Sequence, residues 1–172
     1  MDLRIVKTRK NIREAFLQLR AETPLEKIRV ANLCKLALIN KTTFYKHYQD
    51  IYALSEEIEN ETIASILNSI EHTGSLFSDP DNFVKGLYDA FKAHNQIILT
   101  LFSGRMNVLI GKVDQQLKGY YPQLDNKPER EIILSFLNWG SSYVFLESKY
   151  DESLMLKTLT RIANQVVRLI EP

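Results

Sequence analysis

Apolar residues recur every three to four positions along most of the chain, which is the period of an amphipathic α-helix. No sustained alternation of apolar and polar residues, the pattern of a half-buried strand, appears in the 172 residues. Thr23-Pro24 and Thr73-Gly74 end two of the predicted helices, because the residue before proline leaves helical geometry and glycine favours helix ends. The predicted helices cover about 4–20, 30–37, 41–48, 51–72, 81–96, 128–148 and 152–170, with two further pieces within 97–120. The pattern therefore predicts an all-α protein.

Charge divides the chain more sharply than its formal net charge of +1 suggests. Residues 1–50 contain eleven basic and five acidic side chains, a net charge of +6, and the remaining 122 residues carry −5. A basic segment of this kind is typical of an anion-binding surface, although a merely solvated face is the plainer explanation. We expect a basic head of three helices at 1–50, continued by the helix at 51–72, and a helical-bundle body at 73–172.

Composition and motifs argue against several classes of protein. The longest apolar runs fall well short of the roughly 18 residues that cross a bilayer, and no apolar signal segment is apparent, so we expect a cytoplasmic protein without membrane contact. Cys34 is the one cysteine, and His72 and His94 lack ligand spacing, so neither a disulfide nor a metal site is expected. The sequence contains no nucleophile elbow, glycine-rich phosphate loop or zinc-protease motif. We therefore expect no catalytic residues, no cofactor and no enzyme.

The stretch from Ile28 to Leu54 has the features of a helix-turn-helix, two short helices joined by about three residues. Asn40 is well placed to cap the second helix, since its side-chain oxygen can accept a backbone N–H. Phe44 and Tyr48, four residues apart, can pack against neighbouring helices and leave the opposite face for phosphates and base edges. The predicted DNA-binding residues are Arg29, Lys41, Thr42, Thr43, Tyr45, Lys46 and His47.

The run Thr43-Phe44-Tyr45-Lys46-His47-Tyr48, followed by Asp50 and Leu54, resembles the recognition-helix motif of the tetracycline-repressor (TetR) family of bacterial transcription regulators. The apolar positions of the first two helices follow the same family pattern, so the resemblance covers about residues 4–60. Within the family the chain looks most like small members related to the dihydroxyacetone-kinase operon activator. The resemblance implies a homodimer whose recognition helices enter successive major grooves of a palindromic operator.

The resemblance also implies roles for the body. The helices at about 128–170 would pair with those of a second copy as a four-helix bundle, and Gly140, Ser141 and Ser142 permit close helix approach; completion of a monomeric core is the alternative. A small-molecule inducer bound between the middle helices would release a repressor from DNA. The candidate pocket residues, which fit an ordinary core equally well, are Phe83, Leu87, Tyr88, Phe91, Phe102, Met106, Trp139 and Tyr143.

Three positions depart from the family pattern. Leu38 stands where the family usually has a glycine in the turn, so the turn is expected to form without a residue that easily adopts positive φ. Ile51 stands where a lysine usually meets a phosphate, and Arg29 where a threonine or serine usually caps the second helix. These departures favour an alternative of a different class, a family-like coactivator that acts through a partner protein and binds DNA weakly.

Overall fold

The computed structural model describes residues 3–71, 73–121, 127–147 and 149–168. Within these ranges all regular structure is helical, which confirms the all-α prediction. The nine α-helices of the described ranges are α1 Leu3–Glu22, α2 Val30–Leu36, α3 Lys41–Tyr45, α4 Ile51–Asn68, α5 Pro80–Ala93, α6 Asn95–Phe102, α7 Met106–Lys118, α8 Pro128–Glu147 and α9 Glu152–Arg168. None of these helices is long and apolar enough to cross a membrane.

Two of the predicted helices end earlier than their apolar pattern suggests. The predicted helix at 41–48 stops at Tyr45, and the backbone N–H groups of His47 and Tyr48 both donate to the carbonyl of Phe44 as a turn. The predicted helix at 51–72 stops at Asn68, because the Ser69 and Thr73 hydroxyls donate to carbonyls of the last turn and compete with further helical hydrogen bonds.

Other boundaries differ by smaller amounts. A short 3₁₀ helix at Leu25–Lys27, which the sequence pattern did not predict, follows Pro24. The break between α5 and α6 falls at His94 rather than after residue 96. The two helical pieces predicted within 97–120 are present, and they are separated at Gly104, whose φ of +73° lies in the left-handed region that favours glycine. The predicted end of the last helix at 170 lies outside the described residues.

The chain divides into two compact units. The first contains residues 1–62 together with 96–103, and the second contains residues 63–95 and 104–172. Helix α6 therefore belongs to the same unit as α1, α2 and α3, although more than thirty residues separate it from residue 62 along the chain. The functional domains predicted at 1–50 and 73–172 remain predictions, but the grouping of α6 with the N-terminal helices was not expected.

The first unit has a continuous apolar core. Its fully buried side chains come from α1, α2, α3, α4 and α6, and they include Ile12, Phe16, Leu33, Phe44, Leu54, Leu101 and Phe102. Burying each such side chain contributes about 1.5–3 kcal/mol, so these residues account for much of the stability of the unit. Their distribution leaves the polar side of each short helix facing solvent.

The second unit is built from helix pairs. α5 packs against α9, α7 packs against α8, and α8 also contacts α9 and α5. Tyr121 is the largest of its fully buried side chains, and its hydroxyl donates to the carbonyl of Thr73 at 2.8 Å while accepting the N–H of Leu76 at 3.1 Å. Both main-chain groups lie in the loop before α5, so Tyr121 fixes the path of this loop.

Candidate functional site

The turn between α2 and α3 keeps a left-handed residue although glycine is absent. Leu38 has a φ of +55°, and it is the one residue other than glycine with a positive φ in the described ranges. The N–H of Ile39 closes the turn by donating to the carbonyl of Cys34 at 3.0 Å. A side chain with a Cβ in this conformation costs about 1–2 kcal/mol. The turn therefore keeps the left-handed conformation that a glycine would adopt easily, and Leu38 adopts it at a steric cost.

Helix α3 is fixed in position by its cap and by its buried face. The Asn40 side chain accepts the N–H of Thr43 at 2.7 Å, which confirms the predicted cap. Phe44 is fully buried and Tyr48 is buried, as predicted, and their ring centres are 5.8 Å apart. This packing determines which side chains of α3 point away from the core.

The predicted DNA-binding residues lie mostly on the solvent side of this segment. Lys41, Thr42, Tyr45 and Lys46 are exposed, and Thr43 and His47 are half-buried. Arg29 is also exposed, but it lies at the start of α2, at the opposite end of that helix from the turn, and its side chain makes no capping hydrogen bond. Six of the seven predicted residues thus lie in the one segment 41–47, and Arg29 lies outside it.

A group of three polar side chains supports the end of this segment. The Tyr48 hydroxyl donates to Oε1 of Glu57 at 2.7 Å, and the Arg9 guanidinium donates to the same oxygen at 2.7 Å. The Arg9 guanidinium also lies 5.7 Å from the centre of the Tyr48 ring. Burial raises the pKa of Tyr48, and the hydrogen bond to Glu57 raises it further; the interaction with Tyr48, followed by that with Glu57, raises the pKa of Arg9.

Sequence reasoning missed Arg9 and Glu57, although a signal for them exists. Arg9 and Arg13 are four residues apart on α1, and Glu57 and Glu61 have the same spacing on α4. Matched rows of opposite charge on two helices are a pattern that favours ion pairs between them. The structure shows both pairs, Arg9 with Glu57 and Arg13 with Glu61.

Two further side chains near this segment are buried. Ile51, at the first position of α4, lies in the core, and Asp50 caps that helix by accepting the N–H of Ala53 at 2.8 Å. Cys34 is buried in α2, and this burial raises the pKa of its thiol. Cys34 is thus a small core residue, and the Ile51 side chain offers neither a charge nor a hydrogen-bond donor to a phosphate.

The candidate inducer-pocket residues have varied surroundings. Phe102 belongs to the first compact unit, and the other seven belong to the second. Phe83, Leu87, Phe91 and Phe102 are buried, Tyr88 and Met106 are half-buried, and Trp139 and Tyr143 are exposed. An apolar groove of about 190 Å³ lies between α5, α8 and α9. Of the eight candidate residues, Phe83 alone lines this groove, so the groove is not the inducer pocket that the eight residues would form.

One face of α8 exposes a continuous row of large apolar side chains. Ile132, Phe136, Trp139 and Tyr143 are between 42% and 67% exposed, and their spacing of four, three and four residues places them on one side of the helix. Gly140 is exposed on the same side. Scattered exposed apolar residues are ordinary, but a row of this length on one helix face is typical of an interaction surface.

The described residues contain no cluster of three or more histidine, cysteine, aspartate or glutamate side chains that could hold a metal ion. No protein-family model matches the chain, and no curated protein matches it. The function must therefore be inferred from the residues and their geometry, above all from the exposed side of α3 and the apolar face of α8.

Proposed function

We propose that the chain is a TetR-like transcriptional regulator that binds a palindromic DNA operator as a homodimer and acts as a repressor released by a small ligand. The observation that carries this proposal is the division of α3 and the turn after it, residues 41–48, into two sides. Phe44 and Tyr48 anchor one side in the core, and Lys41, Tyr45 and Lys46 remain exposed on the other. A helix presented in this way can enter a major groove, as in a helix-turn-helix.

The exposed side chains have the chemistry that DNA recognition requires. Lysine can donate to guanine acceptors or to phosphate, and threonine offers a hydroxyl together with a methyl group that can contact the thymine methyl. The Tyr45 hydroxyl can reach a phosphate oxygen. Residues 1–50 carry a net charge of +6, which would attract the DNA backbone and speed association.

The apolar face of α8 supports the homodimer part of the proposal. In a symmetric dimer the same face of each copy packs on its partner, so a self-complementary apolar row is suitable. Covering Phe136, Trp139 and Tyr143 would remove three large exposed rings from water. Two heads held in this way can read two half-sites of a palindrome. Release by a small ligand rests on the family resemblance, and it would act by favouring one separation of the heads.

The burial of Ile51 favours a second candidate function. In the family that the chain resembles, a lysine at this position meets a phosphate, whereas the Ile51 side chain lies in the core and offers no charge to DNA. The loss of one phosphate contact weakens binding fairly uniformly and lowers the salt dependence by about one unit of slope. A coactivator that acts through a partner protein and binds DNA weakly would tolerate this loss.

The experiment that separates the two candidates is selection of bound sequences from random DNA at two salt concentrations. Recovery of a palindromic site, with affinity that falls steeply as salt rises, is the expected result for a dimeric regulator. Recovery of no sequence above non-specific binding would contradict the operator-binding proposal and favour the coactivator.

Substitution of the exposed side of α3 provides a second test. Lys41→Ala and Tyr45→Ala should each weaken operator binding by about 1–3 kcal/mol, because a base or phosphate contact is lost without disturbing the core. Lys157→Ala, which removes an exposed lysine of α9, is the matched control. Affinity would be measured by fluorescence anisotropy. Unchanged affinity in both α3 variants would show that this side of the helix does not face DNA.

A further inference from the structure

Helices α5 and α9 of the second unit lie side by side and run in opposite directions. At one end of the pair, the Asn164 amide of α9 donates to the carboxylate of Asp81, in the first turn of α5. At the other end, the Lys92 ammonium donates to Oε2 of Glu152 at 2.7 Å. The two contacts are eleven residues apart on α5 and twelve apart on α9, so the helices keep the same register between them.

An open groove of about 410 Å³ runs along one side of this helix pair; we refer to it as the basic groove. The antiparallel register places residue 85 of α5 opposite residue 160 of α9, and both line the groove. The charged and polar residues of the lining are the basic Lys85, Lys157 and Arg161, the acidic Asp81, and the neutral Asn82 and Thr160. Three cationic side chains from two helices thus line one groove.

The basic groove differs in charge from the region around it. Residues 51–172 carry a net charge of −5, whereas the lining has three basic side chains and one acidic one. Lys157 and Arg161 are exposed and four residues apart on α9, so they lie on the same face and repel each other. In the described part of the chain neither has an acidic side chain within ion-pair distance. These two positive charges therefore have no counter-ion among the described side chains.

The carboxylates near the groove are engaged in other contacts. Asp89, which lies outside the lining, pairs with Lys85 on the same helix. Asp81 accepts the amide of Asn164, and it lies in the first turn of α5, where the positive end of the helix dipole stabilises a carboxylate. The two cations of α9 are thus available to an anion from solution.

We propose that the basic groove binds the phosphate group of a small molecule. At neutral pH a phosphate monoester carries a charge of about −1.5 to −2, which matches the two uncompensated cations of α9. The Arg161 guanidinium can donate two parallel hydrogen bonds to phosphate oxygens, and Lys157 supplies a point charge. The Thr160 hydroxyl and the Asn82 amide can donate to further oxygens. A carboxylate, with a single negative charge, would leave one of the two cations unmatched.

The size of the basic groove favours a phosphate ester over free phosphate. Small-molecule sites have volumes of about 300–1,000 Å³. The groove lies within this range, and it is far larger than one phosphate ion. Leu156 also lines the groove and offers an apolar contact to the organic part of an ester. This inference goes beyond the proposed function, because its residues all lie on α5 and α9 and it does not require DNA binding.

The test is isothermal titration calorimetry of the full chain in a low-salt buffer without phosphate. Glucose 6-phosphate is the probe, and glucose is its uncharged counterpart; we expect the first to bind and the second not to bind. Arg161→Gln and Lys157→Gln should each weaken binding about tenfold or more, since a charge-assisted hydrogen bond is lost. Arg168→Gln, which replaces an exposed arginine of α9 outside the lining, is the matched control and should keep the wild-type affinity.

Two further probes identify the source of the anion. Inorganic phosphate should bind more weakly than glucose 6-phosphate if the ligand is an ester, and equally tightly if the ligand is free phosphate; in both cases Arg161→Gln should weaken binding. Hexaglutamate represents an acidic protein segment. Binding of hexaglutamate that is lost in Arg161→Gln, without binding of either phosphate, would overturn the proposal in favour of a protein partner.

The other basic surface of the chain, in residues 1–50, provides the remaining control. Lys41→Ala should bind glucose 6-phosphate as tightly as the wild type does. Loss of binding in Lys41→Ala, with unchanged binding in Arg161→Gln, would show that the phosphate binds the N-terminal segment, and it would refute the groove. Absence of binding of both phosphates to the wild-type chain at millimolar concentrations would also refute it.

Thermal unfolding without ligand separates a binding role from a structural one. Since Lys157 and Arg161 repel each other in the free protein, Arg161→Gln should keep or raise the melting temperature. A marked fall in melting temperature would show that the arginine stabilises the fold, and it would contradict the inference.

Discussion

Leu38 is held in a strained conformation without support from its own side chain. The side chain is 88% exposed, so packing does not compensate for the left-handed backbone. The strain is maintained by the turn itself, in which the N–H of Ile39 bonds to the carbonyl of Cys34 and Asn40 caps α3. Strain that is imposed by surrounding structure is common at functional sites. Here the strained residue lies in the turn that connects α2 to α3.

Leu38→Gly should stabilise the protein by about 0.5–1 kcal/mol. Relief of about 1–2 kcal/mol of steric strain outweighs the extra freedom that glycine gives the unfolded chain. The free energy of unfolding would be measured in urea. Leu38→Ala keeps a Cβ and should gain nothing, and Leu36→Gly, in the last turn of α2, should destabilise by about 1 kcal/mol. Stabilisation by alanine but not by glycine would show that side-chain exposure, and not φ, is responsible.

Tyr121 gives the stability of the second unit a dependence on alkaline pH. Burial raises the pKa of its hydroxyl above the usual value of about 10 in an unfolded chain. The folded state therefore keeps the proton longer than the unfolded state does. This contribution to stability is complete below pH 10 and is lost progressively as the pH rises above it, by about 1.4 kcal/mol per pH unit.

Tyr121→Phe should destabilise the protein by about 1–3 kcal/mol near pH 8, because two buried main-chain groups lose their partner. The difference from wild type should shrink by about 1 kcal/mol between pH 10 and pH 11, where the wild type alone loses the Tyr121 contribution. Urea unfolding at each pH measures this difference. The control Ile110→Val, a buried variant without a titratable group, should differ from wild type by a constant amount. A constant difference for Tyr121→Phe would refute the assignment.

At the scale of residues, local chemistry was predictable and contacts between distant segments were not. The cap by Asn40 and the burial of Phe44 and Tyr48 follow from side-chain chemistry and helical spacing. The positive φ of Leu38 could not be predicted, because leucine itself disfavours it and the surrounding turn imposes it. The hydrogen bond of Tyr48 to Glu57 depends on the way that α4 folds back onto α1.

At the scale of elements, Arg20 joins the ends of two helices that are distant in sequence. Its buried guanidinium donates to the carbonyl of Thr23, after α1, and to the carbonyl of Leu101, in the last turn of α6, both at 2.9 Å. The last carbonyls of a helix lack partners within the helix, so the guanidinium satisfies groups that burial would otherwise leave unpaired. Arg20 thereby fixes α6 against α1 within the first unit.

Arg20→Met should destabilise the protein by about 3 kcal/mol, because methionine preserves the length of the side chain but leaves both carbonyls without their charged donor. Arg13→Met is the matched control on the same helix. It removes an exposed ion pair with Glu61 and should cost no more than about 1 kcal/mol. Chemical unfolding measures both values. Equal losses for the two variants would show that the buried bonds of Arg20 add no more stability than a surface pair.

The positions of the helices were mostly predictable from apolar spacing, since each long helix buries one face. The residues at which the helices end were harder to predict. The hydroxyls of Ser69 and Thr73 end α4 by competing for its carbonyls, and the apolar pattern, which continues through Ile70, gives no sign of this. Periodicity reports the buried face of a helix, whereas hydrogen bonds at its ends decide where it stops.

At the scale of the whole molecule, the apolar face of α8 has a direct consequence for assembly. Phe136→Asp should weaken the proposed dimer at least about thirtyfold, since a charge placed in a buried apolar interface remains unpaired. Leu99→Asp, on the exposed side of α6, is the control and should leave assembly unchanged. Light scattering coupled to size-exclusion chromatography measures the mass at several concentrations. A wild-type chain that stays monomeric throughout, or a Phe136→Asp variant that assembles normally, would refute the dimer.

The grouping of the helices into compact units was the least predictable feature at this scale. Charge and composition separate the N-terminal 50 residues from the rest, but they contain no information on α6. Residues 96–103 join the first unit through tertiary contacts, among them the bond from Arg20 to Leu101. A reading along the sequence assigns these residues to the body, because neighbours in sequence are the default neighbours in space.

The place of α6 also determines how this protein can be re-engineered. A fragment that ends at residue 72 would expose the surfaces that Ile98, Leu101 and Phe102 cover, and it would leave Arg20 without one of its acceptors. The N-terminal helices are therefore not a transferable cassette. A chimaera that gives another body the specificity of α3 has to bring residues 96–103 with it, or supply a helix of equivalent shape from its host.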